Sequence, residues 1–211
     1  MKKKILTGAL AVALVAIMVS GTLAYFTAED TATNVFTIGS VKIKIVEDFA
    51  DPKNMIPVVT ADESDPNYIN KDARLRNTGD NAAYVQMYVA IPKAMDDVKA
   101  FIVVDADNGD WTTRAPAGTA VFSGVTYNVY MYRYKGELAP GKETTDAITA
   151  AYMAPELDYR DGRFVMNGTV IADYVPGASI DIYVGAQAIQ AQGFDTYNSA
   201  LNNFTTHPWE N

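Results

Sequence analysis

The chain of 211 residues has no cysteine and a single histidine, His207. The first absence excludes a disulfide frame, thiol catalysis and thiolate metal sites. The second excludes the paired-histidine helix of zincins and leaves any Ser-His-Asp arrangement dependent on one residue near the C-terminus. His207 is followed by Pro208 in a short tail, a poor place for a preorganised site. It reads as a solvated tail residue, and no catalytic residue and no metal ligand is assigned. Basic clusters are absent beyond the first four residues. The formal net charge is −8, so nucleic acid is not an expected partner. No long apolar run follows residue 24, and no period of 20–50 residues points to a solenoid.

What the sequence does have begins at its N-terminus. Lys2, Lys3 and Lys4 precede an apolar run over residues 5–19, and Ser20, Gly21, Thr22 and Ala24 make a small-residue exit. This is the pattern of a secretory signal helix, with cleavage between Ala24 and Tyr25. Residues 5–24 are also long enough to just span a bilayer, so retention as an anchor is the alternative. Cleavage leaves 187 residues and removes three lysines, which takes the net charge from −8 to −11. That length is one ordinary domain with a real core. An exported chain without disulfides draws its stability from that core, from metal or from assembly.

The remainder reads as β-structure. Residues 34–38 alternate with Phe36 and Ile38 on one face. Residues 41–45 alternate with Val41, Ile43 and Ile45 on one face and lysines on the other. The phase slips at Gly39-Ser40, which marks either a bulge or a joint between strands that pack in different places. Residues 48–70 form a Pro-punctuated surface connection. Residues 83–91 form a strand with Val85, Met87, Val89 and Ile91 inward and Tyr84, Gln86 and Tyr88 on the other side. Further strands follow, separated by Asn108-Gly109, Ser123-Gly124, Pro140-Gly141, Asp161-Gly162 and Pro176-Gly177. In the last strand, residues 179–190, Ile180, Ile182, Val184, Ala186 and Ala188 point inward. Asp195 is placed to cap a short helix carrying Tyr197, Leu201 and Phe204. The sum is an all-β domain, a jelly roll or β-sandwich of about nine short strands with minor helices.

Two features invite a functional reading. Asp105, Asp107 and Asp110 alternate oxygens in the manner of a calcium loop, but Gly109 stands where a ligand belongs and Pro116 where a bidentate Glu is needed. An acidic hairpin tip is the plainer account. Tyr130, Tyr132 and Tyr134 share one strand face, which suits cross-strand packing, sugar stacking or subunit contact.

Several segments resemble the TasA/camelysin family. The first is Gly21-Thr22-Leu23-Ala24-Tyr25-Phe26-Thr27, followed by Asn34-x-Phe36-Thr37-x-Gly39-x-Val41-x-Ile43. The others are Asn77-Thr78-Gly79-Asp80 leading to Ala83-Tyr84-Val85, Leu138-Ala139-Pro140-Gly141 before a threonine pair, and Ala188-Ile189-Gln190-Ala191-Gln192-Gly193-Phe194. The resemblance implies a bacterial protein whose signal is removed by a dedicated signal peptidase. It also implies a jelly-roll domain that polymerises into extracellular fibres of a biofilm matrix or cell surface, with no cofactor. In such fibres the N-terminal segment of one subunit lends a strand to the next. Carried over, residues 1–24 are the signal, residues 25–40 the donor segment and its joint, and residues 41–211 the domain. Tyr25 opens the donor, and Phe36 and Ile38 are its apolar teeth. The partners implied are other copies of the chain, with matrix polysaccharide or an accessory matrix protein beside them. Some relatives carry a metallopeptidase label, for which this sequence has no zinc motif. Two other readings remain: a secreted peptidase, and a non-polymerising adhesin that binds glycan through the tyrosine face.

Overall fold

The computed structural model describes residues 27–31, 34–37, 41–49, 56–171 and 181–210. Within them the chain is an antiparallel β-sandwich with two short helices. Strand β1 (Thr27–Thr31) and strand β2 (Asn34–Thr37) come first, then β3 (Ile43–Phe49), β4 (Ile69–Asn77) and β5 (Ala83–Pro92). Helix α1 (Lys93–Asp96) is followed by β6 (Phe101–Asp105), β7 (Ala115–Phe122), β8 (Val125–Arg133) and β9 (Ile148–Met153). The chain continues through β10 (Leu157–Arg160), β11 (Arg163–Met166), β12 (Thr169–Val170), β13 (Tyr183–Gln190) and helix α2 (Tyr197–Leu201).

One sheet has the order β2-β1-β13-β5-β8-β7, and the facing sheet has the order β3-β4-β9-β6. A small sheet, β10-β11-β12, closes one side. Side chains from the two large sheets meet in the main core. Ile43 and Leu75 enter from one side, Val85, Met87, Val89 and Ile91 from the other, with Ile148, Met153, Val184, Ala186 and Ala188 around them. On β5 and β13 this is period-two alternation, which puts every second side chain on the buried face, whereas Ile148 and Met153 differ in parity because the pairing of β9 is irregular.

Local chemistry places the hairpins. Ser123 and Gly124 have φ of 49° and 83°, Asp161 and Gly162 have 49° and 79°, and Asn167 and Gly168 have 51° and 84°. Two successive positive φ values are what a two-residue hairpin turn with the twist of its strands requires. The phase slip at Gly39-Ser40 lies outside the described residues, but the strands on either side of it belong to different sheets, β2 to one and β3 to the other.

Three expectations change. The segment before the joint carries a hairpin of two strands, because the polar residues 27–31 form a main-chain ladder with β13 although they have no apolar alternation. The helix cap is Thr196 rather than Asp195. Its hydroxyl accepts from the Ser199 backbone N–H at 3.1 Å, and the Ser199 hydroxyl accepts from the Thr196 N–H at 3.2 Å in a reciprocal box. His207 is not a solvated tail residue. It is 4% exposed, because the tail folds back across the outer face of the six-stranded sheet.

That tail explains why β5 is buried along its whole length. Its outward residues lie under two covers. Helix α2 brings Leu201, Tyr197 and Phe204 over Tyr84 and Ile189. The tail brings Trp209 into a cluster with Tyr88, Ala90, Tyr127 and Val129, with Phe122 and Tyr183 packed against it. The Phe122 and Tyr183 rings stack at 4.0 Å.

Candidate functional site

Strand β13 is the element on which the rest converges. Its sequence alternates small inward residues, Ala186 and Ala188, with Gly185, Gln187 and Ile189 outward. It lies between β5 and β1, antiparallel to both. On the β5 side the register runs from Tyr183 opposite Ala90 to Gln190 opposite Ala83. On the other side it runs unbroken from Thr27 opposite Ile189 to Thr31 opposite Gly185. Among the described residues, β2 alone lies beyond β1, at the edge of the sheet. The hairpin β1-β2 is therefore joined to the rest of that sheet, among the described residues, through one ladder, to β13.

Behind that ladder, on the outer face, sits a buried polar row. The Gln86 amide donates to the Gln187 carbonyl oxygen at 2.7 Å and to the Tyr88 hydroxyl at 2.7 Å. The Tyr88 hydroxyl donates to the same Gln187 oxygen at 2.7 Å. The Gln187 amide donates to the backbone oxygen of Thr206 at 3.1 Å, which ties the tail to β13. Gln86 stands opposite Arg133 on β8, whose guanidinium reaches Asn198 at 3.2 Å and Asn202 at 2.8 Å on and beside α2. Gln86 Oε1 and Arg133 Nε are buried without a hydrogen-bond partner.

The sequence-predicted residues fall out as follows. Ala24, Tyr25 and Ile38 lie outside the described residues. Phe36 is in β2, opposite Glu29 and one strand removed from β13. The tyrosine face is not an outer docking face. Tyr132 is 1% exposed, and Tyr130 and Tyr134 are half-buried against the main core. The reason is register: Tyr132 pairs with Met87 and Tyr130 with Val89, both core residues of β5. Their hydroxyls are spent internally, Tyr130 to Asp96 at 2.5 Å and Tyr132 to Asp105 at 2.6 Å. Burial, then the Asp96 carboxylate, push the Tyr130 phenol up to about 12. Burial and the Asp105 charge push Tyr132 further in the same direction.

Asp105 is committed to Tyr132 and lies 3.6 Å from Arg114, so the acidic loop does not converge on a cation. Among the described residues no group of three or more His, Asp or Glu is arranged to hold a metal. His207 is likewise engaged: its Nδ1 accepts from the Trp209 N–H at 3.3 Å, which leaves Nε2 to donate to the Thr119 carbonyl at 3.2 Å. What sequence reasoning missed is the tail. The available signals were Gly185, a glycine in the middle of a strand, and Trp209, a large apolar ring in a polar terminus.

The family model described as camelysin metallo-endopeptidase matches residues 1–99. Over that stretch the chain is similar to the camelysin family. The match takes in residues 1–26, strands β1 to β5 and helix α1, and it stops before β13. No curated protein matches the chain. The family's name implies a metal, and the described residues do not fit one. The single histidine has both ring nitrogens occupied by backbone groups, and no carboxylate faces it with a second ligand. No hydrolytic step is derived from them.

Proposed function

We propose that the chain is an exported structural subunit that polymerises into extracellular or cell-surface fibres by lending its N-terminal hairpin to β13 of the next copy. The observation that carries this reading is the single ladder between β1 and β13, at the end of a sheet, next to a joint where the chain crosses to the other sheet. Withdrawing β1 uncovers one edge of β13 and its row of main-chain donors and acceptors, and an identical segment from another copy satisfies them equally well. A donor that leaves one domain to complete the next makes a heterologous contact, which generates an open filament rather than a closed ring. The strand that docks is β1, and its contribution is main-chain bonding, because residues 27–31 are Thr, Ala, Glu, Asp and Thr. The family match supports the reading, since it covers the signal and the hairpin together. The processing partner on this reading is the dedicated signal peptidase, and the principal partner is the chain itself.

The test is deletion of residues 25–38 from the mature chain, followed by electron microscopy and sedimentation. The expected product is a non-polymerising particle. Fibres of unchanged appearance from the deleted chain would rule out hairpin exchange.

A further inference from the structure

Tyr68 and Tyr152 stack on each other, with ring centroids 5.4 Å apart and ring planes inclined by 22°. Tyr152 is on β9, and Tyr68 is the residue before β4. Ile69 stands opposite Ala151 in the ladder between these strands, so one further step brings Tyr68 opposite Tyr152. The core takes Ala151 and Met153, which leaves Tyr152 between them on the outer face of the four-stranded sheet. Both tyrosines are half-buried there. Neither ring has a loose support. Tyr152 lies between β4 and β6, where it stands opposite Ile102. The loop that delivers Tyr68 is gathered around the buried Asp65 carboxylate, which accepts from the backbone N–H groups of Val59, Thr60 and Asn67 at 2.6, 3.2 and 2.8 Å. The Tyr68 N–H donates to the Asp65 carbonyl at 3.0 Å.

The hydroxyls of Tyr84, Tyr88, Tyr130 and Tyr132 donate to side chains, whereas among the described residues those of Tyr68 and Tyr152 do not. What these two rings offer is their faces. The unpaired electron of a phenoxyl radical lies in the π system, with much of its density on the carbons ortho to the oxygen, so it projects from the ring faces. A stacked pair turns those lobes on each other. Tyr127 and Tyr183 also touch, at 5.3 Å, but their planes are inclined by 77° and Tyr127 is buried. Holding two reactants face to face replaces a bimolecular encounter with an intramolecular step.

We propose that Tyr68 and Tyr152 form an oxidative cross-linking site, joined as dityrosine by peroxide and a haem peroxidase. Each phenol gives up one electron and one proton. The two radicals form a carbon–carbon bond through one ortho position of each ring. Each coupled carbon then loses its hydrogen as a proton and each oxygen regains one, which restores both phenols. The peroxide takes up two electrons and two protons and becomes two waters, so the chain is lighter by two hydrogens. The bond ties the start of β4 to β9 and closes a long loop of the unfolded chain, as a disulfide does. In a chain without cysteine it is a covalent staple of another chemistry. The site belongs to the single subunit and does not rest on the exchange reading.

The experiment treats the purified protein, dilute enough to be monomeric, with a haem peroxidase and limiting hydrogen peroxide, and analyses its tryptic digest by mass spectrometry. The expected product is an intramolecular link between the peptide that holds Tyr68 and the one that holds Tyr152, two hydrogens lighter than their sum. Its yield is expected to exceed that of any other tyrosine pair several-fold. Fragmentation separates Tyr152 from Tyr159, which shares its tryptic peptide. Tyr68→Phe and Tyr152→Phe keep an aromatic ring in the stack and are each expected to abolish the product, whereas Tyr159→Phe leaves its yield unchanged. The same treatment in urea is expected to reduce the link to the level of the other pairs. If a Phe variant is misfolded by circular dichroism, the linked peptides of the wild-type protein, folded against unfolded, decide the matter. An absence of dityrosine, equal yields from folded and unfolded chains, links confined to other pairs, or a cross-linked monomer no more resistant to urea would each overturn the proposal.

Discussion

Trp209 rests on the backbone of Gly185. A Cβ at Gly185 would stand 2.7 Å from Trp209 Cζ2 and 3.1 Å from Pro208 Cγ. Gly185 is opposite Tyr88 in the sheet, and the Tyr88 and Trp209 rings meet edge to face at 6.4 Å. The glycine in β13 is thus explained by what covers it. Gly185→Ala forces the tail off the sheet and is expected to destabilise the fold by about 1–3 kcal/mol. Urea unfolding followed by tryptophan emission checks this, and an unchanged midpoint would show that the tail is not packed as described.

The two glutamines of the outer face are not equivalent. The Gln187 oxygen is the acceptor for both Gln86 and Tyr88, whereas Gln86 carries an oxygen that has no partner. Gln187→Met leaves two buried donors unanswered, at a cost of about 1–3 kcal/mol. Gln86→Met removes the unmatched oxygen along with its amide and is expected to cost less. The comparison of the two midpoints is the measurement, and a larger loss for Gln86→Met would contradict the network.

The buried tyrosines give the fold an alkaline limit. A phenol whose pKa is raised on folding contributes stability that is intact below its unfolded value of about 10. That stability is lost as pH rises through the folded value, about 12 for Tyr130 and higher for Tyr132. Stability is therefore expected to fall from about pH 10 upward, with tyrosinate absorbance and loss of β circular dichroism rising together. Tyr132→Phe removes the most strongly held proton and is expected to move that transition to higher pH. Ionisation of all tyrosines well before any loss of structure would refute the burial of the stripe.

The absence of cysteine makes the hairpin ladder easy to lock. Ala28 and Ala188 are directly opposite each other on β1 and β13. The pair Ala28→Cys with Ala188→Cys, oxidised in the monomer, gives the chain one disulfide and holds β1 in its own domain. On the exchange reading the oxidised protein stays monomeric and assembles after reduction. Fibres that grow at the same rate from the oxidised monomer would exclude exchange of β1.

Much of the fold is legible in the residues because its causes are local. Val85, Met87, Val89 and Ile91 announce β5 by alternation, and Ser123-Gly124 and Asp161-Gly162 announce their turns by tolerance of positive φ. The phase slip at Gly39-Ser40 separates strands that do belong to different sheets. What stays hidden depends on distant partners. Residues 27–31 have no apolar pattern, and the ladders to β13 and β2 make them a strand. Parity on β8 was readable, and it correctly groups Tyr130, Tyr132 and Tyr134. Which face is inward was not readable, since Val125, Tyr127, Val129 and Met131 are as apolar as the tyrosines and are covered too. The burial of His207 follows from a tail that returns to β13, of which Trp209 is the one sign within the tail and Gly185 the sign on the strand.

The first described strand and the C-terminal tail settle on one strand. The β1 ladder runs along the edge of β13, and the tail lies across its outer face at Gly185 and Gln187. In order of synthesis β1 is made before β13, so it has no place to dock until the later strand has been made. On the exchange reading, its main chain is open during that interval to any finished neighbour that has a vacant β13 edge. A chain cut short before residue 183 never offers such an edge. On the exchange reading it can give its hairpin but cannot receive one, and a filament that incorporated it would stop growing at that point.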